Sequence, residues 1–198
     1  MEDLLNLPEL SFDERSHVYR YNGDIILPSV TQIMRPLSIG PYGGISESVL
    51  AAAAEKGTAV HRAIEVHCKY GIDACVPEYE AYFDAFVQWE QDYRPEYMGS
   101  EVRFYHRALM YAGTVDCIAR VDGKTVLIDY KTTAVLHEKL CGVQLEAYAQ
   151  GLKSHGVEVV EKYILQLKKD GRYVFQRFPG ADPDRWRVFL SLITVYDY

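Results

Sequence analysis

The chain has 198 residues, of which 48% are hydrophobic, 13% aromatic and 25% charged, enough apolar material for a substantial core and not the composition of a disordered segment. No run approaches the roughly 20 apolar residues that span a bilayer, and the opening MEDLLNLPEL lacks the basic-then-apolar order of a signal peptide, so a soluble, cytoplasmic protein is expected. Cys68, Cys75, Cys117 and Cys141 form no C-x-x-C pair and read as free thiols, while a net charge of −7 argues against a bulk electrostatic grip on nucleic acid.

Near the start, two β-rich runs flank Asn22-Gly23, a pair that accepts positive φ at both centres of a type I′ turn, and predict a hairpin. Pro28-Ser29 ends its second strand, and Ser29 or Thr31 is positioned to cap a short helix through Met34. Residues 36–44, with two prolines and three glycines, read as a loop. Residues 46–70 predict one long helix, rich in alanine at 51–54 and capped by Gly71, with Gly57 as a weak point or close approach. A second helix is expected over 77–93, its Tyr82, Phe83, Phe86, Val87 and Trp89 spaced as a core face.

The middle is β. Strands are expected at 101–106, 110–121 and 125–130, the last two joined at Asp122-Gly123. A helix follows over 140–154, then a hairpin of 159–167 and 173–178 around Asp170-Gly171. A last amphipathic helix begins near Asp182-Pro183. No repeat or long linker divides the chain, so one domain is expected: an extension over 1–45, a core over 46–178 and a C-terminal helix over 179–198.

The chemistry concentrates in Gly113-Thr-Val-Asp116 and Asp129-Tyr-Lys131. Pairing through the Asp122-Gly123 turn sets Asp116 across from about Asp129. Alternation sends Asp129 and Lys131 to one face and Val126, Ile128 and Tyr130 to the other. Two acids and a lysine on an apolar strand pair are costly unless they compensate one another or bind a metal. Hard oxygen donors favour Mg²⁺ or Mn²⁺; a surface ladder of ion pairs is the competing explanation. Residues 1–130 carry 11 Lys/Arg against 20 Asp/Glu, a net of −9, whereas 131–177 carry 8 against 5, a net of +3, so the basic excess begins at Lys131. Two further pairs fall at i, i+4 on expected helices: His61 with Glu65, and Gln144 with Tyr148.

In this order the four groups, Gly57/His61/Glu65, Gly113/Asp116, Asp129/Lys131 and Gln144/Tyr148, resemble the PD-(D/E)XK nuclease superfamily, in particular its RecB-like branch with phage-type exonucleases. The resemblance covers roughly residues 57–167. It implies an α/β, restriction-endonuclease-like core, a mixed central sheet flanked by helices in the order α-β-β-β-α-β, here preceded by the hairpin. It implies a metal-dependent DNA nuclease acting as an exonuclease on single strands or DNA ends in phage or prophage recombination or repair. The ligands of Mg²⁺ or Mn²⁺ would be Asp116, Asp129, the carbonyl of Tyr130 and His61, the imidazole making Mn²⁺ at least as good as Mg²⁺. Lys131 would position the water, Gln144 and Tyr148 would meet the strand, and Glu65 would stand behind the ligands.

Val115 replaces the motif's proline, and the second acid is Asp rather than Glu. Some RecB-like members hold an iron–sulfur cluster through three cysteines near the C-terminus; this chain has none after Cys141, so no cluster is expected. No G-x-x-x-x-G-K-[ST] occurs either, which leaves any motor to another chain. The segment 27–34 resembles one ahead of the core in phage-type relatives, which would bring Ser29 and Thr31 to phosphate; a plain capped turn explains it equally. His67, His137 and His155 lack partners at metal spacing and are expected exposed, while Tyr42, Tyr105 and Tyr111 are candidates for stacking on bases, although packing explains most of the tyrosines more simply. DNA is the implied partner, with a recombination or single-strand-annealing protein beside it. The alternatives are an inactive DNA-binding subunit of the same fold, and a non-nuclease scaffold.

Overall fold

A computed structural model describes residues 4–197, and within them every side chain but those of Pro41 and Tyr42; the stacking role expected of Tyr42 therefore lies outside what is described. The chain begins with β1 (Leu10–Asp13), β2 (Val18–Tyr21) and β3 (Ile25–Leu27), an antiparallel sheet in the order β1-β2-β3. The expected hairpin is β2–β3, with Asn22 at φ 49° and Gly23 at φ 83°, both positive as a type I′ turn requires. The strand β1 was not expected, being four residues long with only half of its positions turned inward.

Ser29 then caps α1 (Val30–Ile33), its side chain accepting from Gln32 N while Gln32 returns a bond to the Ser29 backbone, a reciprocal capping box. Residues 35–42 are helix, α2 (Arg35–Tyr42), where a loop was expected. The prolines misled: Pro36 sits in the first turn, where its missing N–H leaves no bond unmade, and a glycine inside a helix is costly but tolerated.

The long helix is α3 (Glu47–Tyr70), unbroken at Gly57 and ended by Gly71 in the left-handed region. A methyl at Gly57 would make only ordinary contact with Thr132, so nothing there demands a bend. A 3₁₀ turn (Pro77–Tyr79) leads into α4 (Glu80–Tyr93). Then come β4 (Glu96–Tyr105), β5 (Ala112–Val121), β6 (Lys124–Lys131), α5 (Glu138–Lys153), β7 (Glu161–Leu167), β8 (Tyr173–Phe178) and α6 (Pro183–Asp197). The five strands form one sheet in the order β4-β5-β6-β7-β8, antiparallel except for the parallel pair β6–β7. This is the expected mixed α/β restriction-endonuclease-like architecture, helices flanking a sheet whose parallel pair is made by an α5 crossover. β4 starts five residues ahead of expectation because a register shift between Tyr97 and Gly99 breaks its alternation.

Alternation along β6 sorts the core. Leu127 joins Ile118, Ile164, Leu145, Leu152 and Phe189 beneath α5 and α6. Val126, Ile128 and Tyr130 join Val60, Ile64, Phe86 and Trp89 beneath α3 and α4. Each large side chain so buried contributes on the order of 1.5–3 kcal/mol. Tyr111 lies in the first of these clusters and Tyr105 packs with Tyr19 and Leu27 of the N-terminal sheet, so both are packing residues and not surfaces for stacking on bases. His67, His137 and His155 are half-buried rather than exposed; His67 lies between Asp73 and Glu90, and His155 bonds the Tyr105 carbonyl. The N-terminal sheet meets the larger one where Ala112 N donates to the Pro28 carbonyl and Tyr19 Oη bonds Thr114 Oγ1. Among the described residues no helix is long and apolar enough to cross a membrane.

Candidate active site

The β5–β6 ladder, running Val121↔Lys124 to Cys117↔Ile128, ends there, although both strands continue. Beyond that point β5 stays with β4 and β6 stays with β7, so the two part at Asp116 and Asp129. The freed Tyr130 N–H donates to Asp116 Oδ2 at 2.7 Å, a side chain taking the place of a strand neighbour. This satisfies a buried backbone donor and fixes the carboxylate together.

His61, next to Val60 where the buried stretch of α3 begins, reaches the same opening. Its Nε2 lies 3.1 Å from the Tyr130 carbonyl oxygen and its Nδ1 3.3 Å from Asp116 Oδ1. Burial opposes charge on the ring, but Asp116 outweighs it and raises the His61 pKa to about 9. Asp116 responds in kind: burial pushes its carboxyl up, and His61 more than reverses that, holding it below the usual carboxylate range. At neutral pH an imidazolium thus lies among oxygens that would otherwise face one another.

Asp129 is 3% exposed. Its Oδ2 is 2.6 Å from Lys131 Nζ, yet that oxygen has no hydrogen bond of acceptable direction, so the contact is one of charge. Burial raises its carboxyl despite Lys131, and Asp116 adds to the rise. Lys131 moves up as well, its own burial outweighed by Asp129 and Asp116. From Lys131 a chain of bonds runs into α5: Nζ donates to Gln144 Oε1 at 3.2 Å, and Gln144 Nε2 to the Tyr148 hydroxyl at 2.8 Å. Gly113 is explained by the same packing, since a Cβ there would sit 2.9 Å from Phe104 and 3.1 Å from Tyr148.

Glu65 takes a different position. Its oxygens are engaged by Arg62 at 2.6 Å and Lys69 at 2.7 Å, and they do not converge with Asp116. Ser29 is buried and its hydroxyl is committed to Gln32 N and Thr31 Oγ1, whereas Thr31 is exposed. Both residues line a cavity of about 660 Å³ whose walls include His61, Glu65, Glu101, Asp116 and Tyr148.

Glu101 was not anticipated from the sequence. Ligand atoms of His61, Glu101 and Asp116 lie within 4.8 Å of one another. Burial and then the neighbouring Asp116 push the Glu101 carboxyl up to about 8. The signal available was pairing across the β4–β5 hairpin, but the connection at 106–111 does not fix a register as a two-residue turn does. One imidazole and several carboxylate oxygens, one of them buried without a directed hydrogen bond, suit a hard-to-borderline divalent ion such as Mg²⁺ or Mn²⁺.

No curated protein matches the chain. Among solved structures, one described as "Crystal structure of SSO0001" is similar at 15% identity and a TM-score of 0.43, covering 85% of this chain and 72% of that one. The profile of the PD-(D/E)XK nuclease superfamily matches residues 47–193, a span that runs from the first residue of α3 into α6 and takes in Asp116, Asp129 and Lys131. On that match the chain belongs to the PD-(D/E)XK nuclease superfamily.

Proposed function

We propose that this nuclease is a divalent-metal-dependent deoxyribonuclease of the RecB-like, phage-exonuclease type, acting on single strands or DNA ends in recombination or repair. The observation that carries the reading is the convergence of His61, Asp116 and the Tyr130 carbonyl where β5 and β6 part, with Asp129 and Lys131 alongside. Mg²⁺ or Mn²⁺ would be held by Asp116, Asp129, the Tyr130 carbonyl and His61. When bound, the ion offsets charge on the scissile phosphate and acidifies the attacking water.

The chain's own residues supply the rest. Lys131, held beside Asp129 and bonded to Gln144, is placed to orient the attacking water and the phosphate. Gln144, bonded to both Lys131 and Tyr148, holds the ammonium in position and relays contact with the strand into α5. Arg62 and Arg103 line the same cavity and add positive charge beside the site to the basic excess that begins at Lys131. The ordered motif set, which resembles RecB-like phage exonucleases, supports the finer assignment.

The test is incubation with labelled linear and circular DNA, single- and double-stranded, in Mn²⁺, Mg²⁺ or EDTA, beside Lys131→Ala. Shortening of linear DNA in metal, lost in EDTA and in the variant, with circles spared, is the expected result. Binding without cleavage in every metal would instead identify an inactive module of the same fold.

A further inference from the structure

Glu101 is the least comfortable residue near the site. The register that pairs Ser100 with Cys117 and Val102 with Val115 sets it opposite Asp116, and like charges directly opposed across a ladder destabilise it. Its backbone has φ 54°, the left-handed region that favours glycine and that other residues occupy only at a cost the surroundings must bear. Among the described residues no hydrogen bond or ion pair engages its carboxylate, although Arg103 lies two positions along and pairs with Glu14 instead.

The neighbouring carboxylates each have one cation beside them, His61 at Asp116 and Lys131 at Asp129. Asp129 approaches Asp116 from the other side, almost fully buried, with Oδ2 lacking a directed hydrogen bond. Three carboxylates therefore come from three adjacent strands, while Arg62 and Arg103 on the same cavity wall pair with Glu65 and Glu14 instead. Local strain and repulsion that folding does not need are the expected mark of a position set for a ligand.

We propose that Glu101 is itself a ligand of the divalent cation, giving with His61 and Asp116 a nitrogen-and-two-carboxylate donor set reached through the cavity that all three line. The inference rests on the metal-dependent reading above and adds to its ligands a residue outside the four motif groups. A mixed nitrogen–oxygen set prefers Mn²⁺ to Ca²⁺, which takes oxygen donors alone.

The experiment is Mn²⁺ binding to the full chain without DNA, by calorimetry and by the electron paramagnetic resonance of free Mn²⁺, for wild type, Glu101→Gln, Glu101→Gly and Asp116→Asn. Thermal melts of each are recorded without metal. Both Glu101 variants are expected to bind Mn²⁺ about tenfold more weakly or worse, since even residues behind the ligands change affinity by about 10–100-fold. Both should melt at or above the wild-type temperature in metal-free buffer, because glutamine removes the repulsion and glycine also accepts the backbone angle. Wild-type affinity in Glu101→Gln, with affinity lost in Asp116→Asn, overturns the role of Glu101 and leaves the metal-dependent reading standing. A lowered metal-free melting temperature in both variants overturns it too, as evidence of a structural residue. No Mn²⁺ uptake by the wild-type protein removes both readings together.

Discussion

Replacing Lys162 by methionine would uncouple α5 from the sheet. Lys162 on β7 and Glu146 on α5 form an ion pair whose side chains are 1% and 2% exposed. Gln150 Nε2 donates to the other Glu146 oxygen at 2.8 Å. The pair joins the helix that carries Gln144 and Tyr148 to the strand lying parallel to β6. Methionine fills the volume of the lysine stem but leaves Glu146 charged and buried, with Gln150 as its remaining bond. Breaking such a pair from one side costs about 3–5 kcal/mol, a large share of the roughly 5–15 kcal/mol that holds a domain folded. The double variant Lys162→Met/Glu146→Leu removes both charges and should return to within about 1 kcal/mol of wild type, because an apolar replacement of the whole pair is often neutral or better. Urea unfolding of the four corners of this cycle, with linear extrapolation, measures the coupling. A single variant costing less than about 1 kcal/mol, or a double variant as unstable as the single, would refute the reasoning.

Three other perturbations separate structure from chemistry. Ser29→Ala removes a capping box and should cost about 1 kcal/mol without weakening DNA binding, whereas Thr31→Ala should do the reverse; a loss of DNA affinity in Ser29→Ala at unchanged stability contradicts the capping role. Asp129 has a folded-state pKa above its usual 3.8 because of burial and Asp116, so its ionisation opposes folding as pH rises through that value. Asp129→Asn should therefore melt at or above wild type at pH 7 in EDTA, while a markedly lower melting point would make the carboxylate a structural tie to Lys131. Burial disfavours a charged His67, but its bonds to Asp73 and Glu90 outweigh that and raise its pKa above 6.5. The stability it contributes is fully present below pH 6.5 and is lost as pH rises through the raised folded value; melting against pH for wild type and His67→Gln should diverge below that value and converge above it, and parallel curves would exclude the linkage.

What could be read from the sequence was what short-range rules determine. A two-residue turn fixes a register, so Asp122-Gly123, with φ 48° and 74°, brought Asp116 level with Asp129 by counting alone. The two-residue period of β6 then separated Asp129 and Lys131 from Tyr130, and Gly71 ended α3 through its left-handed angle. Glu101 was hidden because its partner is set by a longer connection and by a strand whose period is interrupted between Tyr97 and Gly99. The fates of Tyr105, Tyr111 and His67 were hidden for another reason. Whether an aromatic or an imidazole is buried depends on which elements cover it, and those are distant in the chain: the N-terminal strands for Tyr105, α5 and α6 for Tyr111, and α4 for His67. The helix α2 was obscured by composition: Pro36 is acceptable because it falls in the first turn, and Pro41 lies one residue from the helix end.

The most direct measurement is the anomalous scattering of Mn²⁺ in crystals of the full-length protein soaked in that ion. A peak is expected at the parting of β5 and β6, within bonding distance of the Asp116 carboxylate and the Tyr130 carbonyl, with the His61 ring turned onto it. Anomalous density confined to surface acids, with His61 still bridging Asp116 and Tyr130 at saturating Mn²⁺, would contradict it.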